Sequence, residues 1–368
     1  MGVSIPPDDE LLCLVALSDM RGAWGVPWRR LVADFGSARA LWAASDAELE
    51  LAGFNERGRR RLRVFKAWET LRRRLDGWRR QRVEVCGLGD AAYPTALLTV
   101  EDGPLVLYYR GATPSVHRLA VSVVGARKAS DYGLRTARRL GREASACGLV
   151  VVSGMARGID SEAQRGALEN GSSVAVLGCS PERPYPQSSS RLYRQLLEQG
   201  TVLSEFPPGT ELAAWQFPRR NRIVTGMSAA TVVIEAGEGS GSLISAKLAL
   251  AQGRELLAVP GPVDSRVSRG SNALIRDGCT PLLEITDLLA ALGLQASEAQ
   301  GLEISARTAN CSPPEQRLLD LLASESLHID DVVRRTGLDR AAILALITSL
   351  ELIGLIKRQS SGSYARVA

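Results

Sequence analysis

Between residues 83 and 292, short runs of β-branched and other apolar residues alternate with amphipathic segments. This alternation is typical of a parallel sheet covered by helices, because strands buried on both faces are apolar along their whole length. The predicted strands are residues 120–124, 149–153, 173–177, 201–203, 231–235 and 255–259. Six such runs predict an α/β fold class with a doubly wound, mostly parallel sheet. Ligands of such sheets bind beyond the carboxyl ends of the strands, so the residues that follow each strand are the candidates for a site.

The first 82 residues carry a helical pattern instead of a strand pattern. Residues 31–37 and 51–54 predict two short helix-turn-helix units, each turned by a glycine. From 57 to 82, apolar residues recur at helical spacing among twelve basic and two acidic residues, which predicts a basic amphipathic helix. Such a helix can attract phosphates, although a charge run is more often a solvated face, and both interpretations stay open.

The C-terminal part follows a polar stretch at residues 295–312, which predicts a linker. The elements predicted after it are helices at residues 317–323, 328–336 and 340–353 and a hairpin of residues 355–358 and 363–367. This layout is typical of a winged helix. The third helix holds one basic residue, which favours a protein contact or a structural role over duplex recognition. Lys357, Arg358 and Arg366 on the hairpin leave a DNA contact open. The predicted domains are residues 1–82, 83–294 and 313–368, with the linker between the last two.

The formal net charge of +5 points only weakly to a polyanionic partner, so its distribution matters more. Residues 1–82 hold 16 Lys and Arg against 11 Asp and Glu, residues 83–312 hold 22 against 22, and residues 313–368 hold 7 against 7. The whole excess is therefore N-terminal.

Targeting and metal signals are missing from the sequence. No apolar run approaches the roughly 18 residues of a membrane span, and the first ten residues lack the basic region of a secretory signal. The six cysteines show no CxxC spacing and only two histidines accompany them, which argues against zinc and favours reduced, mostly packed thiols. The sequence predicts a cytoplasmic protein without a membrane partner or a cofactor.

Two turns with glycine follow the first two predicted strands. In the first, Gly125 allows a ligand to approach the backbone, and Arg127 and Lys128 come directly after it. The second turn, residues 153–160, holds Gly154 and Gly158 and opens a helix whose free N–H groups suit a phosphate. Glycine turns serve packing as often as binding, but together these two point to one crevice.

A run of three arginines and an amide, Phe-Pro-Arg-Arg-Asn-Arg-Ile at residues 217–223, precedes the fifth predicted strand. Arginine forks pair with phosphates and stack on bases, and Phe217 and Trp215 offer aromatic faces. We favour phosphate binding over a structural network with carboxylates. The carboxylates that such a network would use are Asp160, Glu205 and Glu235. Residues 237–242 and 260–262 follow the last two strands and lie at the same predicted edge.

Motifs of nucleotide hydrolysis and hydride transfer are absent from the sequence. It contains no GxxxxGK[ST] P-loop, no strand-linked GxGxxG with an acidic residue about twenty positions on, and no GxSxG elbow. The sequence gives little support to hydrolase chemistry.

Five consecutive motifs characterise the central region: Val-Val-Gly-Ala-Arg-Lys at 123–128, Ser-Gly-Met-Ala-Arg-Gly-Ile-Asp at 153–160, Phe-Pro-Arg-Arg-Asn-Arg-Ile at 217–223, Gly-Ser-Leu-Ile-Ser-Ala at 241–246 and Ala-Val-Pro-Gly at 258–261. In these motifs the region resembles the DprA/Smf family. The helical N-terminal part, of the SAM or helix-hairpin-helix type, and the winged helix also look like accessory domains of that family. The resemblance implies a Rossmann-like domain in a homodimer that binds single-stranded DNA and helps to load RecA onto it in natural transformation and recombination, without catalysis.

The resemblance also implies site residues. Arg127 matches the family's DNA-contacting arginine, and the run at 217–222 borders the same groove. The predicted DNA-binding residues are Gly125, Arg127, Lys128, Ser153, Gly154, Arg157, Gly158, Phe217, Arg219, Arg220, Asn221, Arg222, Gly241 and Ser242. The chain departs from the family at Ala126, where serine is usual, at Gln187, where a DNA-contacting lysine is common, and at Gln164, where histidine is frequent.

Two rival functions remain open at this point. A Rossmann-like nucleotide-processing enzyme of the nucleoside monophosphate phosphoribohydrolase type would need a carboxylate in the crevice, and Glu235 is the obvious candidate. A sequence-specific duplex regulator would read DNA with the winged helix, which its apolar third helix argues against.

Overall fold

The computed structural model of the protein describes residues 9–20, 28–114, 119–294, 311–323, 326–352, 354–359 and 362–366. Most of the predicted linker, residues 295–310, and His117 lie outside them. Within these ranges the chain folds as two compact units. The first comprises Met1–Ser145 and Val150–Leu292, and the second comprises Ala146–Leu149 and Gly293–Ala368. No described helix is long and apolar enough to cross a membrane.

One sheet of nine strands organises the described part of the first unit. The strands are β1 Glu84–Gly87, β2 Val106–Gly111, β3 Ala120–Gly125, β4 Val150–Ser153, β5 Ser173–Leu177, β6 Thr201–Ser204, β7 Ala230–Ile234, β8 Glu255–Ala258 and β9 Thr280–Pro281. Their spatial order is β1-β2-β6-β5-β4-β3-β7-β8-β9. Strand β2 runs antiparallel to β1 and to β6. All other neighbouring strands, from β6 across the sheet to β9 in this spatial order, are parallel to each other. The predicted doubly wound, mostly parallel sheet is confirmed.

Helices connect the parallel strands on both faces of this sheet. They are α7 Asp131–Ala146, α8 Ile159–Ala167, α9 Ser190–Gln199, α10 Gln216–Gly226, α11 Gly241–Ala251, α12 Arg269–Arg276 and α13 Ile285–Ala291. The chain builds β3 to β6 outward in one direction and then crosses back, so that β7 pairs with β3 on the other side. The order of the strands therefore reverses at β3, and the carboxyl ends there form a topological switch point.

The N-terminal helices share a core with the edge of the sheet. They are α1 Glu10–Asp19, α2 Trp28–Phe35, α3 Ala38–Ala43, α4 Asp46–Leu51, α5 Glu56–Val64 and α6 Trp68–Arg80. Their buried apolar residues form one cluster with Leu105, Val106 and Tyr108, and the Trp78 ring stands edge-on to Tyr108 with 5.2 Å between the centroids. The helices thus belong to the same compact unit as the sheet.

The single basic helix expected over residues 57–82 is wrong, because the chain forms two helices there. Helix α5 ends at Val64, Phe65 is extended, and α6 begins at Trp68. The rings of Trp42, Phe65 and Trp68 pack together with centroid distances of 4.6 to 5.2 Å. Burial of this aromatic cluster favours the break over a continuous helix. The two glycine turns are confirmed: Gly36 and Gly53 adopt φ of +78° and +92° between α2 and α3 and between α4 and α5.

The second unit is a winged helix. Its described elements are α14 Pro313–Leu321, α15 Ile329–Thr336, α16 Arg340–Leu352 and the antiparallel strands β10 Ile356–Arg358 and β11 Tyr364–Arg366. Helix α16 buries Ile343, Ile347 and Leu350 in the core of this unit. Its basic residue Arg340 is paired with Asp330 at 3.0 Å.

The cysteines match the sequence-based expectation of packed thiols. All six are thiols and not disulfides, and Cys13, Cys86, Cys179 and Cys311 are buried. Burial raises the pKa of Cys86 to about 12, so this thiol stays protonated at neutral pH. Within the described ranges, no group of His, Cys, Asp and Glu is arranged to hold a metal ion.

Candidate nucleic-acid interface

A crevice of about 610 Å³ opens at the switch point of the sheet. It is bounded by the turn after β3, the turn after β4, the first turn of α10 and the first turns of α11. Four separated stretches of sequence thus converge on one edge, as the strand order requires. A second depression of about 450 Å³ adjoins it, and Arg127 and Lys128 line both.

The turn after β3 supplies the exposed cations of the crevice. Gly125 ends the strand, and Arg127 and Lys128 follow it as exposed side chains. The guanidinium of Arg127 lies 5.6 Å from the centre of the Phe217 ring, over its face. Neither cation has a carboxylate partner among the described residues. Both are therefore available to an anion in the crevice.

The turn after β4 divides into buried and exposed positions. The Ser153 hydroxyl is buried and donates to Val123 O at 2.6 Å, which ties β4 to β3. Gly154 is buried as well, and its N–H donates to the Asp160 carboxylate at 3.1 Å. By contrast, Arg157 is exposed and lines the second depression together with Gly158. The structure brings Arg157 to the surface next to Arg127, whereas Ser153 and Gly154 support the turn from below.

Gly158 sits where the turns after β3 and β4 pass each other. Its φ is +91°, and a Cβ there would lie 2.3 Å from Ala126 O. Ile159 N donates to the same carbonyl at 3.3 Å. Glycine is therefore required at position 158, because the Ala126 backbone leaves no room for a Cβ and because the positive φ disfavours other residues.

Helix α10 carries the arginine run, which the sequence placed only as lying before a strand. Phe217 and Asn221 line the crevice. Arg219 donates through Nε to Glu205 at 3.0 Å, and Arg222 donates through Nη2 to the same carboxylate at 2.7 Å. The side chains of Arg222 and Glu205 are 5 % and 3 % exposed. The structural network that we weighed against phosphate binding is thus formed by two of the three arginines.

Arg219 differs from Arg222 in being half-exposed, since 41 % of its side chain is accessible. Burial lowers the pKa of Arg219, but the hydrogen bond to Glu205 and the negative charges of Glu205 and Asp102 together outweigh this and hold the pKa above its ordinary value. Arg219 is therefore a partly exposed cation on α10.

Arg220 is buried beneath the crevice, where its guanidinium forms part of the wall. Its Nη1 donates to Gly154 O at 2.7 Å and also to Val176 O. Burial lowers the pKa of Arg220, and the nearby Asp160 opposes that effect. The buried Asp160 carboxyl has a raised pKa, because loss of solvation outweighs the Arg220 charge and the hydrogen bonds from the β4 turn. Arg220 and Asp160 together hold the turn after β4 in place.

The raised pKa of Asp160 predicts how stability depends on pH. The ordinary value is 3.8, and the folded state holds the proton more tightly than the unfolded state. This contribution is fully present below about pH 4 and is lost as pH rises through the folded pKa. We therefore expect Asp160→Asn to become more stable relative to the wild type as pH rises from 4, by at most about 1.4 kcal/mol per pH unit. Urea denaturation of both proteins between pH 4 and 8 measures this, and a constant difference would contradict it.

The first turns of α11 close the crevice on the β7 side. Gly241 is exposed there, and the Ser240 and Ser242 hydroxyls are 2.6 Å apart. Sequence reasoning missed Ile244, which lines the crevice with 43 % of its surface exposed. Its position three residues after Gly241 on the same helix face is the signal that could have found it.

Tyr185 is a second residue that sequence reasoning missed. Its ring is 39 % exposed and lies 5.3 Å from the Phe217 ring. It belongs to the segment after β5, which also ends at the binding edge of the sheet. Arg127, Phe217 and Tyr185 thus form a row of side chains with exposed π or cationic faces. Trp215, which we also considered for stacking, is 58 % exposed but packs against Phe206 at 5.7 Å.

Glu235, the carboxylate required by the enzyme alternative, is committed to the fold. It is 3 % exposed and accepts hydrogen bonds from the backbone N–H of Ser130, at 2.8 Å, and from the Ser130 hydroxyl. It therefore secures the turn that leads into α7. His328, one of the two histidines, belongs to the winged helix unit.

The two glutamines at departures from the family pattern have different environments. Gln187 is exposed and begins a short 3₁₀ turn, Gln187–Ser189. Gln164 is fully buried, and its Nε2 donates to Val174 O at 3.1 Å and to Ser173 Oγ at 3.3 Å. Gln164 therefore joins α8 to β5, which supplies a structural role for a residue that the sequence left unexplained.

Comparison with known proteins places these observations in a family. Residues 84–293 match the model of DNA recombination-mediator protein A, and residues 305–362 match that of the DprA winged helix domain. Protein Smf of Escherichia coli is 37% identical over 281 residues, which is 75% of each chain. The chain belongs to the DprA/Smf family.

Other DprA/Smf proteins agree with this assignment. DNA processing protein DprA of Streptococcus pneumoniae is 36% identical over 204 residues, which cover 55% of this chain and 71% of that protein. The X-ray structure of the Streptococcus pneumoniae protein aligns with a TM-score of 0.67 at 27% identity over 76% of this chain and 97% of the other. A structure that describes the single-stranded DNA binding mode of DNA processing protein A from Helicobacter pylori aligns with a TM-score of 0.52 at 28% identity, over 56% and 95% of the chains.

Proposed function

We propose that the switch-point crevice binds the backbone of single-stranded DNA. The observation that carries this proposal is the difference between its arginines. Arg219 and Arg222 are paired with Glu205, whereas Arg127, Lys128 and Arg157 are exposed without a carboxylate partner among the described residues. Cations that the fold leaves unpaired at a binding edge suit phosphate oxygens.

A single strand suits this site better than a duplex. Arg127 lies over the Phe217 ring, and the exposed Tyr185 ring lies beside Phe217, so unstacked bases have a guanidinium plane and an aromatic ring to contact. Such faces are inaccessible to bases inside a duplex. The DNA binding described for the Helicobacter pylori protein supports the same assignment.

Non-catalytic binding agrees better with the site than hydrolysis does. Glu235 is held by Ser130, and the buried Asp160 accepts the N–H of Gly154. A general acid or base must reach the substrate, but Glu235 does not line the crevice, and Asp160, which does, is only 7 % exposed and already accepts the N–H of Gly154. A mediator without enzymatic activity is therefore the function we assign.

In the cell, we infer that the bound strand is passed to RecA during natural transformation and recombination, in the cytoplasm and by a homodimer. Family membership supports these roles. The boundaries at residues 82, 294 and 312 remain our proposal for its domains. The winged helix, whose Arg340 is occupied by Asp330, is proposed to contact protein or to act structurally.

The proposal is tested by fluorescence anisotropy with a labelled oligothymidylate and a duplex of equal length across a salt series. The double variant Arg127→Ala/Lys128→Ala is expected to bind the single strand about ten- to a hundredfold more weakly at 0.1 M salt, because two phosphate contacts are lost. Arg276→Ala is the matched control, since that arginine is 78 % exposed at the far end of α12.

If the double variant binds the single strand as tightly as the wild type, the crevice is not the DNA-binding site. Preference of the wild type for the duplex would contradict the single-strand assignment. Release of free base from a nucleoside monophosphate by the wild type would instead favour the enzyme alternative.

A further inference from the structure

Helix α5 separates its arginines into two sets on opposite sides. Arg59 lies 3.6 Å from Glu50 and donates to Phe54 O at 2.7 Å. Arg63 donates to Asp46 at 2.9 Å and also to Ala44 O. This set joins α5 to both ends of α4 and to the residues that flank it, so its function is structural.

The other set is unpaired. Arg57, Arg60 and Arg61 recur at the i, i+3, i+4 spacing of one helix face, and the exposed Val64 continues that face. Arg57 and Arg60 are exposed, Arg61 is half-buried, and none has a carboxylate partner among the described residues. We call Arg57, Arg60 and Arg61 the α5 cation stripe.

This stripe is electrostatically unfavourable in the protein alone. Like charges three and four residues apart repel each other on a helix. Arg57 is also the second residue of α5, where the positive end of the helix dipole disfavours a cation. A bound polyanion would relieve both effects at once, whereas a solvated face does not require three unpaired arginines on one side.

We propose that the α5 cation stripe is a second contact for the phosphodiester backbone of DNA, outside the crevice. The stripe belongs to the same compact unit as the crevice. The positive excess of the chain lies wholly in residues 1–82, where this helix is found. Arginine also matches phosphate geometry better than lysine does. This inference rests on the proposed function, because it extends the path of the same DNA.

The experiment compares two matched variants of the full-length protein. Arg57→Gln/Arg60→Gln/Arg61→Gln removes the stripe, and Arg59→Gln/Arg63→Gln removes the paired set of the same helix. Binding of oligothymidylates of 6 to about 60 nucleotides, of a 30-base-pair duplex and of phosphatidylserine vesicles is measured across a salt series, together with the melting temperature.

The stripe variant is expected to bind long oligothymidylates about ten- to a hundredfold more weakly at 0.1 M salt, with a salt slope lower by about 2. Its affinity for the shortest oligonucleotide should equal that of the wild type, and its melting temperature should stay equal or rise. The control should keep its affinity but melt about 2 to 4 °C lower, because its ion pairs support the fold. If the stripe variant loses affinity only for the duplex, the stripe contacts the phosphates of double-stranded DNA instead of those of the single strand.

Unchanged affinity of the stripe variant for every DNA would overturn the inference, and so would a loss confined to the vesicles. If Arg127→Ala/Lys128→Ala weakens binding while the stripe variant does not, only this inference fails. If the wild type binds no DNA, both this inference and the proposed function fail.

Discussion

Replacing Gly125 with alanine is expected to lower the melting temperature by roughly 6 to 12 °C, which corresponds to a loss of about 3 kcal/mol in the free energy of unfolding. A Cβ at this position would lie 1.9 Å from Ile234 O and 2.6 Å from Cγ1 of Ile159. The carbonyl belongs to β7, which pairs with β3 at this register. Neither backbone can move without breaking the central ladder, so the clash cannot be relieved by a change of rotamer.

Gly241→Ala is the matched control for this experiment. It makes the same substitution at another crevice glycine, but a Cβ there meets nothing within 4 Å. Because alanine is the better helix former at the start of α11, the control should melt at the same temperature or slightly higher. Thermal unfolding followed by circular dichroism measures both. If Gly125→Ala has the same melting temperature as the wild type, the close approach of β3 and β7 is not the reason for a glycine at position 125.

The central sheet could be predicted because its strands are buried on both faces. Strand β3 and strand β7 read as continuous β-branched runs, and observed ends differ from prediction by one residue. Strands β1 and β2 were missed because they form the antiparallel side of the sheet, with β1 at its edge, and their sequences mix apolar and polar residues. The pairing of β2 with β6 depends on contacts between residues about a hundred positions apart, which a local sequence pattern does not encode.

The position of the crevice could also be predicted, because topology brings the ends of β3, β4 and β7 together whatever their side chains are. Which arginines are buried, paired or exposed could not be predicted. The run at 217–223 lies in a helix, and Pro218 is accommodated because it falls in the first turn, where no N–H partner is lost. Helical rotation then buries Arg220 and Arg222 and leaves Arg219 half-exposed. Only the packing of α10 against β5 and against Glu205, which follows β6, decides which of the three is free to meet a ligand.

Arg222→Met is expected to destabilise the protein by about 3 to 5 kcal/mol, because it removes one partner of a buried ion pair. Glu205 would keep Arg219, but that arginine is 41 % exposed and already bound to it. Asp102, which lies 3.1 Å from Arg222 Nε, is 67 % exposed and can return to solvent. The cost is therefore that of leaving the Glu205 carboxylate, 3 % exposed, with too little compensating charge.

A double-mutant cycle separates this cost from lost packing. Glu205→Gln in the Arg222→Met background removes the uncompensated charge, so the double variant should be less destabilised than the sum of the two single variants. Arg219→Met should cost about 1 kcal/mol or less, as expected of a half-exposed pair. Additive single and double effects in urea denaturation would contradict a coupled buried pair. The cycle also decides how DNA binding by α10 variants is to be interpreted: weaker binding by Arg222→Met would follow from unfolding, whereas weaker binding by a stable Arg219→Met would report a contact with the strand.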